Sequence, residues 1–417
     1  MGLGEKVLVV EDSRAFRKYL VQQLTHAGYD VLSAETIEQA QEIFKQSPQL
    51  FCAVLDYCLP DGQDGEIIDI TLEHGHRVIV MTAMFQANIR ERMLAKGVLD
   101  YILKDSTYSV FYLVSLLNRL TKNRNHTALI VDDSMVVRRQ VSHLLEHQYI
   151  RVLEAEDGVS GQEVIEQHPE ITLVISDHSM PRKDGITMIR ELRARYNKNQ
   201  LAILGLSASD DSAITAQFLK SGANDFLHKP FNQEEFFCRV HQILDMKEAT
   251  MELYQMANQD SLTGLWNHRF LHNHACKTCE HYCIALIDVD HFKKINDTFG
   301  HDAGDAALVK LAQILKASFP DDTVVRFGGE EFCIQSYSPF DHFIAKLENM
   351  REDVSKTPIV HFEKTIIMTI SIGVTGIQGS LDEKIKKADD RLYTAKRSGR
   401  NQLVAYDVNE PDEPNPE

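Results

Sequence analysis

Through the first ~245 residues, short apolar runs that end in acidic residues alternate with stretches whose apolar positions recur every three or four residues. KVLVVED (6–12) is the first such run; Phe16, Leu20 and Leu24, then Ile37, Ala40, Ile43 and Phe44, keep helical spacing after it. A strand that reads as an unbroken apolar run is buried on both faces, so the alternation predicts a parallel sheet covered by helices on either side. In such sheets chemistry gathers at the carboxyl ends of the strands, and that is where the acidic residues fall.

The pattern occurs twice. KVLVVED is matched by TALIVDD (127–133), AVLDYCLPDGQDG (53–65) by LVISDHSMPRKDG (173–185), VIVMTA (78–83) by AILGLSA (202–208), and GVLDYILKD (97–105) by GANDFLHKPF (222–231). Residues 1–122 and 126–246 are therefore two copies of one α/β unit, joined by a short polar bridge, Thr121–His126. Residues 240–259 hold no Gly or Pro, and Ile243, Met246, Thr250, Leu253 and Ala257 keep heptad a/d spacing. That stretch, with 247–259 as a linker, is either the last helix of the second copy running on into solvent or a short seam pairing two chains. A third unit, 260–407, shows strand signals at CIALIDVD and TIIMTISIGV with a GGEEF turn between them. The tail, 408–417, is acidic and Pro-rich and is expected to be disordered.

Composition narrows the classes. Hydrophobic residues make up 43% and charged residues 25% of 417, the balance of a soluble globular chain. A formal net charge of −17 disfavours nucleic acid and anionic membranes as partners. Neither a membrane-length apolar stretch nor a secretory leader is read in the chain, and seven cysteines suit free thiols in a reducing cytoplasm. A cytoplasmic location is expected.

Each repeat carries one constellation. The first supplies Glu11 and Asp12, Asp56, Thr82 and Lys104; the second supplies Asp132 and Asp133, Asp177, Ser207 and Lys229. A phosphoryl acceptor Asp needs carboxylates to seat a divalent cation, a hydroxyl to hold a phosphoryl oxygen and a Lys to offset product charge. Both sets resemble the response-regulator receiver family. The resemblance implies phosphorylation of Asp56 and Asp177 by a histidine kinase or phosphotransfer protein, with Mg²⁺ at the acidic pairs. The second copy keeps the family's Lys-Pro, Lys229-Pro230, where the first has Lys104-Asp105. Tyr101 and Phe226 stand at the aromatic position that shifts on phosphorylation in that family; plain core packing is the alternative reading.

The third unit resembles the GGDEF diguanylate cyclases through DSLTGLWNHR (260–269), IDVDHFKKINDTFGHDAGD (287–305), RFGGEEF (326–332) and ADDRLYTAKRSGRN (388–401). The expected architecture is thus two tandem doubly wound parallel-sheet receiver domains followed by an α/β GGDEF domain of the nucleotidyl-cyclase type. The resemblance implies condensation of two GTP into cyclic di-GMP by a homodimer, one GTP per GGEEF domain, with Mg²⁺ or Mn²⁺. Asp288, the Val289 carbonyl and Glu330 are the expected metal ligands. Glu330 is the first candidate for general base and Glu331 the second. Gly328 and Gly329 let the nucleotide approach the backbone. Asn296 and Asp305 match guanine-reading positions, His301 a nucleotide contact, and Lys293, Lys396 and Arg400 triphosphate contacts. The alternative is a silent module that binds GTP without turning it over, or a scaffold.

Two further segments stand out. The family's product-inhibition motif, RxxD, falls on Phe319–Asp322, with Phe in place of Arg, so feedback through it is expected to be weak or absent. HNHACKTCEHYC (272–283) gathers His272, His274, Cys276, Cys279, His281 and Cys283. Its Cys-x2-Cys is half of a zinc-site spacing, but Cys283 leads a strand and reads equally as core.

Overall fold

The computed structural model describes residues 4–46, 49–62, 65–83, 87–105, 107–208, 212–274, 281–361 and 364–406. The 408–417 tail and the Cys276/Cys279 pair lie outside them. The chain divides into two compact units, Met1–Thr250 and Met251–Glu417.

The first unit opens with β1 (Lys6–Val10), α1 (Arg14–His26), β2 (Asp30–Ala34), α2 (Ile37–Lys45), β3 (Cys52–Asp56), α3 (Glu66–Glu73), β4 (Val78–Thr82), α4 (Ala87–Ala95), β5 (Asp100–Leu103) and α5 (Thr107–Asn123). The sheet is parallel in the order β2-β1-β3-β4-β5. The apolar runs bury as the pattern requires: Val7, Leu8, Val9, Cys52, Ala53 and Leu55 are without exposed surface. One face of the sheet packs against α1 and α5 through Leu20, Leu24, Leu113 and Leu117, the other against α2–α4 through Ala40, Phe44, Ile68 and Met93.

The second copy repeats this with β6 (Thr127–Val131), α6 (Met135–His147), β7 (Arg151–Ala155), α7 (Gly158–Gln167), β8 (Ile171–Asp177), α8 (Gly185–Arg195), β9 (Ala202–Ser207), α9 (Ser212–Lys220), β10 (Asp225–His228) and α10 (Gln233–Asn258). Its sheet runs β10-β9-β8-β6-β7, the same order from the other end. Side chains close the helix starts: Ser134 accepts from the Val137 amide, Asp184 from Thr187, and Asp157 with Ser160 forms a capping box.

The copies are fastened together by groups far apart in sequence. Tyr149, at φ 64°, stacks on Phe51 and donates its hydroxyl to the Phe51 carbonyl. Arg77 lies 3.8 Å over the Tyr149 ring and donates to the carbonyls of Glu146 (2.9 Å) and His147 (2.8 Å), closing the last turn of α6. Arg119 on α5, only 5% exposed, donates to Asp245 (2.7 Å) and Glu248 (2.5 Å) on α10, and His126 sits between Thr172 (2.9 Å) and Glu248 (2.8 Å).

The second unit contains β11 (Trp266–Asn267), α11 (His268–His274), β12 (Cys283–Val289), α12 (Phe292–Phe299), α13 (His301–Ser318), β13 (Thr323–Gly328), β14 (Glu331–Ser336), α14 (Phe340–Lys356), the hairpin β15 (Ile359–His361) and β16 (Lys364–Ile366), β17 (Ile370–Thr375), α15 (Leu381–Arg397) and β18 (Leu403–Val404). The main sheet is ordered β11-β13-β14-β12-β17-β18, antiparallel at its centre with a parallel strand at each edge. Phe292, Leu311, Phe332, Phe343 and Leu347 build the larger core cluster, and Leu286, Val325, Cys333 and Leu392 a second one that draws in α15. β12 therefore lies at the middle of the sheet and delivers its last residues beside the turn between β13 and β14. Among the described residues no helix is long and apolar enough to cross a membrane.

Candidate active site

Asp288, the penultimate residue of β12, pairs with Glu331 across the sheet; one residue on, the Val289 amide donates to the Glu330 carbonyl at 3.3 Å. The register brings Asp288, Glu330 and Glu331 to one edge. Asp288 is buried, and its carboxylate meets Lys396 Nζ at 2.7 Å. Burial raises the Asp288 pKa above the ordinary carboxylate range even against Lys396. Burial and then the charge of Asp288 raise both Glu330 and Glu331. Three carboxylates that burial makes harder to ionise, gathered at one edge, fit the donor set that a hard divalent cation takes. Lys396 is ion-paired to Asp288, so a lysine expected at triphosphate also neutralises an expected metal ligand.

The turn itself is held from outside. Gly329 has φ 46°, open to glycine at no steric cost. Arg326 donates twice to the Gly329 carbonyl (3.0 and 2.7 Å) and once to Asp260 (2.9 Å), which also accepts from the Thr263 amide and hydroxyl. Nothing in the motif RFGGEEF marks Arg326 as a clamp before its two partners are seen. Asp290 was equally hidden. Its buried carboxylate accepts from Thr369 (2.7 Å), Ser371 (2.6 Å) and the Asn401 amide (2.9 Å), tying the end of β12 to β17 and to the segment carrying Arg400. The available signal was the second acid two positions after Asp288, on the same side of an extended chain.

Asn296 on α12 is set against Gly304, the neighbour of Asp305 on α13, by a close approach of the two helices. A Cβ on Gly304 would lie 1.8 Å from Asn296 Oδ1, so glycine makes the space the Asn side chain fills. Asp305, His301 and Lys293 are exposed. Arg400 (φ 64°) and Asn401 (φ 47°) follow α15 in the left-handed region, with the Arg400 amide bonded to the Ala395 carbonyl.

In the first receiver Lys104 Nζ reaches both Glu11 (2.5 Å) and Asp56 (2.6 Å), and ligand atoms of Glu11, Asp12 and Asp56 lie within 4.8 Å of one another. In the second, Lys229 Nζ bridges Asp132 and Asp177 at 2.6 Å each, and Asp133 is exposed. Among the described residues only the first copy has three acids at metal-holding spacing, although the second carries the Lys-Pro pair, with a cis peptide at Lys229-Pro230. Burial raises Glu11 and Asp132 above the ordinary range. Thr82 and Ser207 end β4 and β9. Tyr101 is buried, with its hydroxyl bonded to Thr82, and Phe226 is buried against Phe218 and His228.

Phe319, at the Arg position of the expected feedback motif, is buried in the larger core, while Asp322 lies 3.6 Å from Lys346. Of the described members of the His/Cys segment, Cys283 is core at the start of β12, His274 stacks on Phe270, and His272 turns toward His268.

Comparison with known proteins agrees with this architecture. The profile of the family "Diguanylate cyclase, GGDEF domain" matches residues 257–402, and that of the "Response regulator receiver domain" matches 7–112 and 128–241. The chain is 30% identical to Response regulator PleD of Caulobacter vibrioides over 96% of its own length and 99% of PleD's. It is 38% identical to Diguanylate cyclase DgcM of Escherichia coli over 42% of this chain and 45% of that one. A solved two-component system response regulator/GGDEF domain protein superposes with a TM-score of 0.54 at 41% identity, covering 58% of this chain and 99% of that one. With two receiver domains ahead of a C-terminal GGDEF domain, the chain belongs to the response-regulator diguanylate cyclases.

Proposed function

We propose that the chain condenses two GTP into cyclic di-GMP and two pyrophosphates as a homodimer, one GTP per GGEEF domain, under control of phosphorylation at Asp56 and Asp177. The observation that carries the reading is the convergence of Asp288, Glu330 and Glu331 where β12 meets the Gly-Gly turn, each raised by burial. Asp288, Glu330 and the Val289 carbonyl would hold Mg²⁺ or Mn²⁺, which supplies charge neutralisation at the α-phosphate. Asn296 and Asp305 read guanine, since a carboxylate accepts from both its N1–H and its amino group. His301 contacts the nucleotide, Lys293 and Arg400 hold phosphate oxygens, and Lys396 exchanges Asp288 for phosphate as substrate arrives. Glu330 receives the proton of the attacking 3′-hydroxyl, whose acidity a cation at the site would raise. Each domain binds one GTP, and the reaction needs two aligned, so the rate is set by how the receivers bring two chains together.

In the receivers, Lys104 and Lys229 already touch the acceptor Asp and would neutralise the phosphoryl group. Thr82 and Ser207 close on its oxygens, and Glu11, Asp12, Asp132 and Asp133 seat the cation.

Product formation from GTP and Mg²⁺, with and without beryllofluoride, tests the reading. Cyclic di-GMP that rises with beryllofluoride and falls by roughly 10²-fold or more in Glu330→Ala supports it. No product under any condition would reduce the chain to a GTP-binding signalling module.

A further inference from the structure

Two imidazoles on α11 face one another outside the machinery described above. His268 and His272 stand at i and i+4, one helical turn apart. Their ring centroids are 4.3 Å apart, and the two Nε2 atoms are 3.0 Å apart. A single proton fits that gap. So does a metal ion just outside it, because two nitrogens bound side by side at about 2.0–2.1 Å from one cation are themselves roughly 3 Å apart.

The surroundings suit the second occupant. His272 turns its other nitrogen, Nδ1, toward Asp382 Oδ1 at 3.9 Å, which sets a negative charge beside the pair without a direct hydrogen bond. His268 is fixed by Phe327, whose ring it meets edge-on at 4.5 Å between centroids. Both histidines line a cleft of about 460 Å³ shared with Asp382, Asp389 and Glu331, so further oxygen donors and solvent border the pair. Two imidazoles select a borderline cation over Mg²⁺, which takes oxygen ligands.

We infer that His268 and His272 form a two-imidazole site for a borderline divalent cation, Zn²⁺ in the first instance, with Asp382 as a neighbouring counter-charge. The ligand set differs from the Cys-x2-Cys spacing read in the neighbouring sequence and needs no cysteine. Because Phe327 directly precedes Gly328, an ion at this site lies one packed ring from the Gly-Gly turn.

Calorimetric titration of the reduced full chain with Zn²⁺, in buffer saturated with Mg²⁺, tests the site. The His268→Ala/His272→Ala variant should take up one equivalent fewer than the parent. Asp382→Asn should keep that equivalent and weaken it only about two- to fivefold, the worth of one exposed charge pair. Cys276→Ser/Cys279→Ser should leave it unchanged. Equal uptake by parent and the double-histidine variant, or loss of the same equivalent in the cysteine variant, overturns the assignment. His272→Gln, at a partly exposed position, repeats the comparison if the double variant fails to fold.

Discussion

Gly304 shows how much one missing methyl group can decide. Its helix approaches α12 so closely that Asn296 Oδ1 sits where a Cβ would be. Gly304→Ala should push the Asn side chain off its position and raise the KM for GTP, by about tenfold for one lost polar contact, while kcat and thermal unfolding change far less. Steady-state kinetics on the variant beside Asn296→Ala separates this from a general packing defect. The carboxylates at the turn give a second residue-scale expectation. Asp288, Glu330 and Glu331 are all raised, so protons compete with the cation at higher pH than they would at free side chains. The Mg²⁺ concentration for half-maximal activity should climb as pH falls, beginning above the ordinary Glu value of 4.5. A Mg²⁺ requirement that is flat from pH 8 to pH 5, set as roughly the working range of such an assay, would contradict this.

Much of this was legible in the chain because the chemistry sits on contiguous motifs at strand ends. Glu11, Asp56 and Lys104 come from three separate segments, yet each closes an apolar run, and the parallel sheet does the rest. Asp290 and Arg326 were not legible. The hydroxyls that hold Asp290 arrive 79 and 81 positions later, and the acid that holds Arg326 stands 66 positions earlier. No local periodicity encodes such a meeting; only the register of β12 against β17 and of β11 against β13 creates it.

At the scale of elements, α5 and α10 are joined through charge. Burial alone would raise Glu248, but hydrogen bonds from His126, Arg119 and Lys122 override it and hold its carboxyl far below the ordinary 4.5. A lowered folded pKa means the network's stability is present above pH 4.5 and is lost as pH falls toward the folded value. Glu248→Gln should cost the first unit about 1.5–3 kcal/mol at neutral pH, the range for hydrogen bonds to charged groups. That cost should shrink on acidification, as chemical denaturation across pH would show. The linker question belongs here too. The heptad-spaced residues lie on one helix, α10, with Ile243 buried and Met246 and Leu253 exposed. Heptad spacing in a single sequence cannot separate a solvated helix from a paired one, since both leave the same residues outside one chain.

For the whole molecule, the expected dimer makes activity a function of concentration. The rate per chain should rise with protein concentration, and Leu253→Glu on α10 should move that rise to higher concentration while leaving GTP binding intact. Titration of activity against protein concentration reads this directly. Feedback should also be weak. With Phe319 packed into the core and Lys346 the cation beside Asp322, added cyclic di-GMP should inhibit little through that segment, whereas a member with Arg there has a forked phosphate ligand.

The Arg326 clamp has one more implication. Asp260 follows α10 directly, by way of Gln259, and a single guanidinium joins it to the carbonyl of Gly329. A glycine pair would otherwise sample many shapes, and every productive encounter with nucleotide would first have to freeze one. Here the freezing is delegated to a residue whose other hand grips the chain just past the last receiver helix. The chain leaving α10 and the substrate cradle are thus held by the same side chain.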